Sequence, residues 1–333
     1  MNRSESIITS APVRLDFAGA WTDVAPFATI EHGAVVNAAI DLRTRVELQL
    51  DQPRYDLWAR DLDERAQADT PEQLGRDGRL ELLKAAVRLG DLGPCRIHTK
   101  AEAPPGSGLG TSGALGVALV HAVDTALGAV RDVVATARAA WQMETVDAAV
   151  AGGQQDQFAS AMGGFQHLSF DRGGTRAVAL VVEPEFAREL ASHMLVCYTG
   201  RSRFSGNMIT KVMQAYQDGE HHVGAALRAL TQIGDAMAGA FRRHDLTAIG
   251  RLLAANWTEQ QRLDPGMCTP EMSQLYDAMR SAGAVGGKAA GAGAGGSMFF
   301  VVPGDMSRAE RMAREGGATL LPLRWAGRGV ARD

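Results

Sequence analysis

Thr111 and Ser112 carry two hydroxyls into the start of an Ala/Leu/Val-rich run, at the end of the stretch Pro104-Pro105-Gly106-Ser107-Gly108-Leu109-Gly110-Thr111-Ser112-Gly113-Ala114-Leu115. The prolines fix φ, offer no N–H and stop the element before them. The glycines then let the backbone curl and approach a ligand where a Cβ would stand in the way. Leu115, Leu119, Ala122, Val123 and Ala126 follow at helical spacing. The loop therefore feeds a helix N-terminus, whose free N–H groups and positive dipole end hold phosphate. Three readings fit. One is a Gly-rich turn with a capping hydroxyl. Another is a dinucleotide site, since Gly108-x-Gly110-x-x-Gly113 satisfies that fingerprint. However, the fingerprint leaves a strand directly and runs through a helix to a second strand. Here prolines interrupt the exit, and Asp132 to Val150 reads as another helix. The third reading is a nucleoside-triphosphate loop, though not a Walker sequence, because no Gly-Lys-Ser/Thr closes it. Such a loop must gather positive charge from the dipole, from Mg2+ and from residues elsewhere.

Ile7 to Phe17 alternates, with Val13, Leu15 and Phe17 set against Arg14 and Asp16, the pattern of a strand with one buried face. Arg14 and Asp16 then point the same way, off that face. Past Ala18-Gly19-Ala20 come Trp21, Thr22 and Asp23, which serve equally to hold a turn or to meet a ligand at the strand end. Trp141, Glu144 and Asp147 share a helical face. Solvated acids are the ordinary reading there; Mg2+ on Glu144 is the alternative, since that cation takes one or two carboxylates. Asp156 falls in the first turn of a short helix bracketed by Gly152-Gly153 and Gly163-Gly164. A carboxylate in that turn either complements the helix dipole or stands beside a transferring phosphoryl group. A second Gly/Ser loop, Thr199 to Gly206, carries Arg201 and Arg203 and reads as an anion or sugar-hydroxyl contact, or as a solvated loop. Lys288 sits among the glycines of 286–296, which imply close backbone approach to a neighbouring segment or to a nucleotide.

The elements that must position these groups begin as strands, with Ala34 to Ala39 and Thr44 to Leu50 following the first. Asp51 to Asp77 is polar and irregular, a surface excursion. Leu80 to Leu89 is a helix closed by Gly90, and Cys95 to Ala101 is the strand that enters the phosphate loop. Helices at Val223 to Arg243, Thr247 to Leu263 and Pro270 to Ala282 dominate the later chain, before a strand at Ser297 to Val302. A mostly β start followed by a loop and helices predicts an α+β fold. A chain of 333 residues exceeds an ordinary single core. The shift near residues 180–190 divides 1–185 from 186–333.

A net charge of -4 argues against nucleic acid or an anionic membrane as the main partner. No run approaches a membrane span, and the polar start Met1-Asn2-Arg3-Ser4-Glu5 does not resemble a signal peptide. Cys95, Cys197 and Cys268 form neither a disulfide framework nor a zinc spacing; a reducing cytoplasm is the expected compartment.

Taken together, the three Gly-rich segments resemble the GHMP kinase superfamily of galactokinase, homoserine, mevalonate and phosphomevalonate kinases. Ala11 to Asp23 matches the first motif, Pro104 to Leu115 the second and Gly286 to Phe300 the third, so the resemblance spans essentially the whole chain. Gly153-Gln154-Gln155-Asp156-Gln157 and Tyr198 to Arg203 are similar to segments of the D-glycero-D-manno-heptose 7-phosphate kinases. Asp16 with Trp21-Thr22-Asp23 is more similar to the fucokinase-type kinases.

The resemblance implies a two-domain fold, with a ribosomal protein S5 domain 2-like N-terminal domain and a ferredoxin-like C-terminal one. It implies ATP, with its phosphates wrapped by Pro105, Gly106, Ser107, Gly108, Leu109, Gly110, Thr111, Ser112 and Gly113. Mg2+ would lie on Ser112 and Glu144, Asp156 would be the catalytic aspartate, and Arg14 would be the cation beside the transferring group. The sugar would meet Asp16, Trp21, Thr22, Asp23, Gly153, Gln155 and Tyr198. Arg201, Arg203 and Lys211, clustered beyond the Gly/Ser turn, would hold a 7-phosphate. The implied reaction is phosphorylation of the anomeric hydroxyl of a heptose 7-phosphate to the 1,7-bisphosphate; the alternative is a fucokinase-type 1-kinase acting on a free sugar. A catalytically silent sensor on the same scaffold would not need Asp156, Glu144 and Ser112 together. The expected partner is a small sugar or sugar phosphate, and the resemblance leaves room for a homodimer.

Overall fold

The computed structural model describes residues 6–200 and 206–333. Seven strands, β1 (Ile7–Ala18), β2 (Gly33–Gln49), β3 (Tyr55–Ala59), β4 (Glu64–Ala68), β5 (Arg96–Ala101), β6 (Phe165–Asp171) and β7 (Gly174–Leu180), build the first sheet. A second, antiparallel sheet holds β8 (Met194–Tyr198), β9 (Gly286–Ala289), β10 (Ser297–Val301) and β11 (Thr319–Leu321), in the order β11-β8-β10-β9. The terminal β12 (Ala331–Arg332) returns to the first sheet beside β1. With helices packed around both sheets, the fold is α+β. The expected division at 185/186 falls inside the helix Pro184–Ser192, which leads into β8. No helix among the described residues is long and apolar enough to cross a membrane.

One long strand organises the first sheet. Ala34 to Ala39 and Thr44 to Leu50, expected as two strands, are one: Ile40 and Leu42 carry the alternation across the gap, and β2 runs for 17 residues. One edge of β2 pairs with β1. Its other edge is shared, with β6 along the first half and β5 along the second. The excursion expected at Asp51 to Asp77 is largely the β3–β4 hairpin, whose first strand pairs parallel to β5. Its alternation was hidden by Asp56, Glu64 and Arg65, of which Asp56 and Arg65 bond each other.

The apolar side chains of β1 enter a core that spans both sheets: the Phe17 ring meets Phe241 at 4.9 Å and Phe299 of β10 at 5.5 Å, both edge-on. A strand with one buried face was expected here, but β1 is buried on both. Arg14 is 5% exposed and Asp16 0%, because partners from distant segments cover the polar face. The loop helix, Thr111–Leu127, packs across β1 and β2. The helix expected from Asp132 to Val150 is α-helical only over Val133–Gln142; it then widens into a π turn, Met143–Asp147.

Candidate active site

A pocket of about 440 Å³ opens between the end of β1, the phosphate loop, the start of the helix Gln155–Met162 and the glycines that follow β9. The loop takes the shape its sequence predicts. Gly106, Gly108 and Gly110 adopt φ of +63°, +75° and +80°, a region that costs a residue with a Cβ. Gly110 begins the helix Thr111–Leu127 with no side-chain cap, so its first N–H groups and dipole face the pocket. Among the described residues, the buried hydroxyl oxygens of Ser107 and Thr111 have no hydrogen-bond partner. Such orphans suit an oxygen-rich ligand such as a nucleotide's phosphates. Other glycines admit protein rather than ligand. A Cβ at Gly113 would lie 2.5 Å from the Asp156 Cβ, and one at Gly291 would lie 2.6 Å from the Gly108 carbonyl oxygen.

Charges converge on this wall. Arg14 Nε donates to Asp156 Oδ1 at 2.8 Å, and Nη1 donates to the carbonyls of Gly108 (2.6 Å) and Ala290 (2.9 Å). The backbone N–H of Arg14 reaches the Leu109 carbonyl at 2.9 Å, which ties β1 to the loop. Asp23 is buried and accepts the Gln155 N–H at 3.0 Å. Burial pushes its carboxyl up to about 6, with the Gln155 hydrogen bond pulling the other way. Glu144 accepts from the Ser112 hydroxyl and from the Gln157 amide. Burial raises its carboxyl to about 7 against those two bonds. Glu144, expected on a solvated face, is instead buried on the same helical face as Ala137 and Ala140, within a π turn of the kind that recurs at functional sites.

Trp21 also lies on the wall, with φ of +79°, a conformation that costs a bulky residue. Its buried indole N–H has no partner among the described residues. Gly153 stands against Asp23, where a Cβ would come within 1.9 Å of Oδ2.

The structure thus brings together Arg14, Trp21, Asp23, Glu144, Gly153, Gln155, Asp156 and most of the 105–112 loop. Several expected contacts lie elsewhere. Leu109 and Gly113 are buried behind the loop, Leu109 with its side chain in the core. Thr22 spends its hydroxyl on the turn, donating to the Gly19 carbonyl and accepting the Ala34 N–H. Asp16 is paired with Lys288 Nζ at 2.6 Å. Burial pulls the Lys288 ammonium below its usual range while Asp16 holds it up. Lys288 therefore approaches a neighbouring segment rather than a nucleotide.

Tyr198 is off the wall as well; its hydroxyl donates to the Pro105 carbonyl at 3.4 Å, strapping the loop from outside. Lys211, expected at a 7-phosphate, is 67% exposed and bound to Asp264 at 2.5 Å, while Ile209 of the same helix faces the pocket. Arg201 and Arg203 lie outside the described residues. Sequence reasoning missed Gln157, whose Gln-Asp-Gln setting was the available signal, and Leu62 at the β3–β4 tip, a wall residue 52% exposed.

Comparison with known proteins matches this arrangement to a family. The model of the GHMP kinases N terminal domain matches residues 80–164, and that of the GHMP kinases C terminal matches 237–319. The D-glycero-alpha-D-manno-heptose 7-phosphate kinase of Campylobacter jejuni is 28% identical over 306 residues, 90% of each chain. The structure of a D-glycero-D-manno-heptose 1-phosphate kinase from Bacteroides thetaiotaomicron superposes with a TM-score of 0.77 at 26% identity, covering 98% of each chain. A bifunctional fucokinase/GDP-fucose pyrophosphorylase of Arabidopsis thaliana is 26% identical over 322 residues, 90% of this chain but 30% of that longer protein. With its N- and C-terminal models both matched and its architecture shared end to end, the chain belongs to the GHMP kinase family and is an ATP-dependent phosphotransferase acting on a sugar hydroxyl.

Proposed function

We propose that this sugar kinase phosphorylates the anomeric hydroxyl of a heptose 7-phosphate, giving the 1,7-bisphosphate. The observation that carries the mechanism is the Arg14–Asp156 contact of 2.8 Å, set between the phosphate loop and Asp23. The loop N–H groups and the orphan hydroxyls of Ser107 and Thr111 would hold the nucleotide's phosphates. Asp23 would fix sugar hydroxyls, and Asp156 would accept the proton of the attacking one. Arg14 would meet the charge that builds on the transferring group. In phosphoryl transfer, such positioning and charge stabilisation supply most of the catalysis. Ser112 and Glu144, two hard oxygen donors bonded to each other on the wall, fit Mg2+. When bound, that ion neutralises phosphate charge.

The heptose reading is supported by the two heptose kinases among the relatives. A free-sugar 1-kinase is the second reading, favoured by the position of Lys211 off the pocket wall and by the fucokinase relative. ADP release from Mg-ATP would be measured with heptose 7-phosphate, mannose, fucose, galactose and mevalonate, with Asp156→Ala alongside. Turnover of the phosphorylated heptose alone, lost in the variant, is the expected result. Turnover of fucose or another free sugar replaces the first reading with the second.

A further inference from the structure

Two rungs join the sheets, one on the pocket wall and one behind it. Arg14 and Asp16 share a face of β1, where alternate residues point the same way. Opposite them stand Lys288 of β9 and, two residues on, Ala290. Lys288 Nζ donates to Asp16 Oδ2 at 2.6 Å and to the Asp16 carbonyl at 2.8 Å. Arg14 Nη1 donates to the Ala290 carbonyl at 2.9 Å, and its Nε is left for Asp156. Lys288 and Asp16 are both 0% exposed, and neither is on the pocket wall. A buried ion pair is a weak source of stability and is often replaceable by hydrophobic packing. Its presence here suits a role in placement.

The Arg14 guanidinium takes its acceptors from three separate segments: Gly108 in the loop, Ala290 after β9 and Asp156 on its helix. They can be reached together only while β1 and β9 keep their spacing and offset, and the lysine rung is the charged contact nearest to set both. We infer that Lys288 is a positioning residue for phosphoryl transfer: by clamping Asp16 it holds β1 against β9 and so keeps Arg14 on Asp156. The inference rests on the kinase reading of the pocket.

Asp16→Asn/Lys288→Met removes both charges at once and strands neither. Protein labelled with 15N-arginine reports the Arg14 Nε–H directly, with its signal assigned by Arg14→Lys. In the double variant that signal should lose the downfield shift and exchange protection that a carboxylate acceptor confers. With heptose 7-phosphate and Mg-ATP, kcat should fall by about 10- to 100-fold, the range expected for sub-ångström to 1 Å misplacement. KM for both substrates should stay within about threefold, and in an Arg14→Ala background the double change should cost nothing further. An unchanged Arg14 signal, or a kcat loss that persists in full without Arg14, overturns the inference. Should wild-type protein turn over no heptose 7-phosphate, the proposed acceptor fails while the arginine signal still decides the positioning role. If the double variant does not fold, Lys288→Met alone, which removes the clamp and leaves Asp16 a carboxyl that can take up a proton, takes the same readings. Failure of both to fold would assign the rung to the fold alone and end the proposal.

Discussion

Asp23 is asked to do two incompatible things, and pH separates them. As an acceptor for sugar hydroxyls it works best ionised, yet burial raises its carboxyl from the usual 3.8 to about 6. We expect kcat/KM to fall as pH drops through about 7, where Glu144 takes up a proton, and again through about 6, and Asp23→Asn to remove the second step together with at least a tenfold share of kcat/KM. Stability runs the other way. A carboxyl whose folded-state pKa is raised contributes stability that is fully present below about 3.8 and lost as pH rises through about 6. The loss is on the order of 3 kcal/mol, at 1.36 kcal/mol per unit. Asp23→Asn, whose oxygen can still accept the Gln155 N–H, should therefore raise the melting temperature at pH 8 and do progressively less toward pH 5. A gain that does not depend on pH would mean that burial is not the cause. Asp156 is tested more simply. Asp156→Asn keeps the shape and loses the base, so kcat should drop by about 10²- to 10⁴-fold in a single-turnover assay, with ATP binding retained.

Glycines that look alike in the sequence separate once their neighbours are known. Gly153 abuts Asp23, where a Cβ would come within 1.9 Å of Oδ2, whereas Gly152 has nothing within 4 Å. Gly153→Ala should push Asp23 aside and raise the sugar KM at least tenfold, at a cost of about 1–3 kcal/mol in stability. Gly152→Ala should leave both nearly unchanged. Steady-state kinetics and thermal melts on the pair decide the matter, and equal behaviour would refute the Asp23 assignment. The same contrast explains what the sequence could tell. The phosphate loop was legible because prolines and glycines constrain the backbone locally, and the apolar face of β1 because period-two alternation is local too. Burial of the other face was not, since Arg14 meets Asp156 and Asp16 meets Lys288 across 142 and 272 residues. The β3–β4 hairpin was hidden by charges that bond each other. Glu144 continues the buried face of Ala137 and Ala140, but its pairing with Asp147 made that face read as a solvated one.

Although the chain forms two sheets, one face of the second shares the first sheet's core; its other face, with Leu195, Met298 and Phe300, packs a cluster of its own against Met272, Leu275 and Met279. Phe17 of β1 packs edge-on against Phe241, which is tilted against Phe165 of β6, while Phe17 also meets Phe299 of the second sheet at 5.5 Å. Val196 and Val301 belong to the same buried cluster. The phosphate loop and the later glycine segment are joined as well, through the Ser297 N–H on the Ser107 carbonyl at 2.8 Å. Unfolding one sheet would strip both of apolar cover and leave buried charges unpaired, so the described chain should unfold in one calorimetric transition. Phe299→Ala tests this sharply. Removing a fully buried ring costs about 3–5 kcal/mol, and in a continuous core that loss lowers one common melting temperature. Independent cores would instead yield a second, lower transition for the sheet that holds β10. Mg-ATP provides the complementary reading: at 100-fold excess over Kd it should add about 2.7 kcal/mol. Because its pocket is walled by residues from both sheets' connecting loops, the whole transition should move upward together. Stabilisation of only part of the transition would show that the two halves unfold apart.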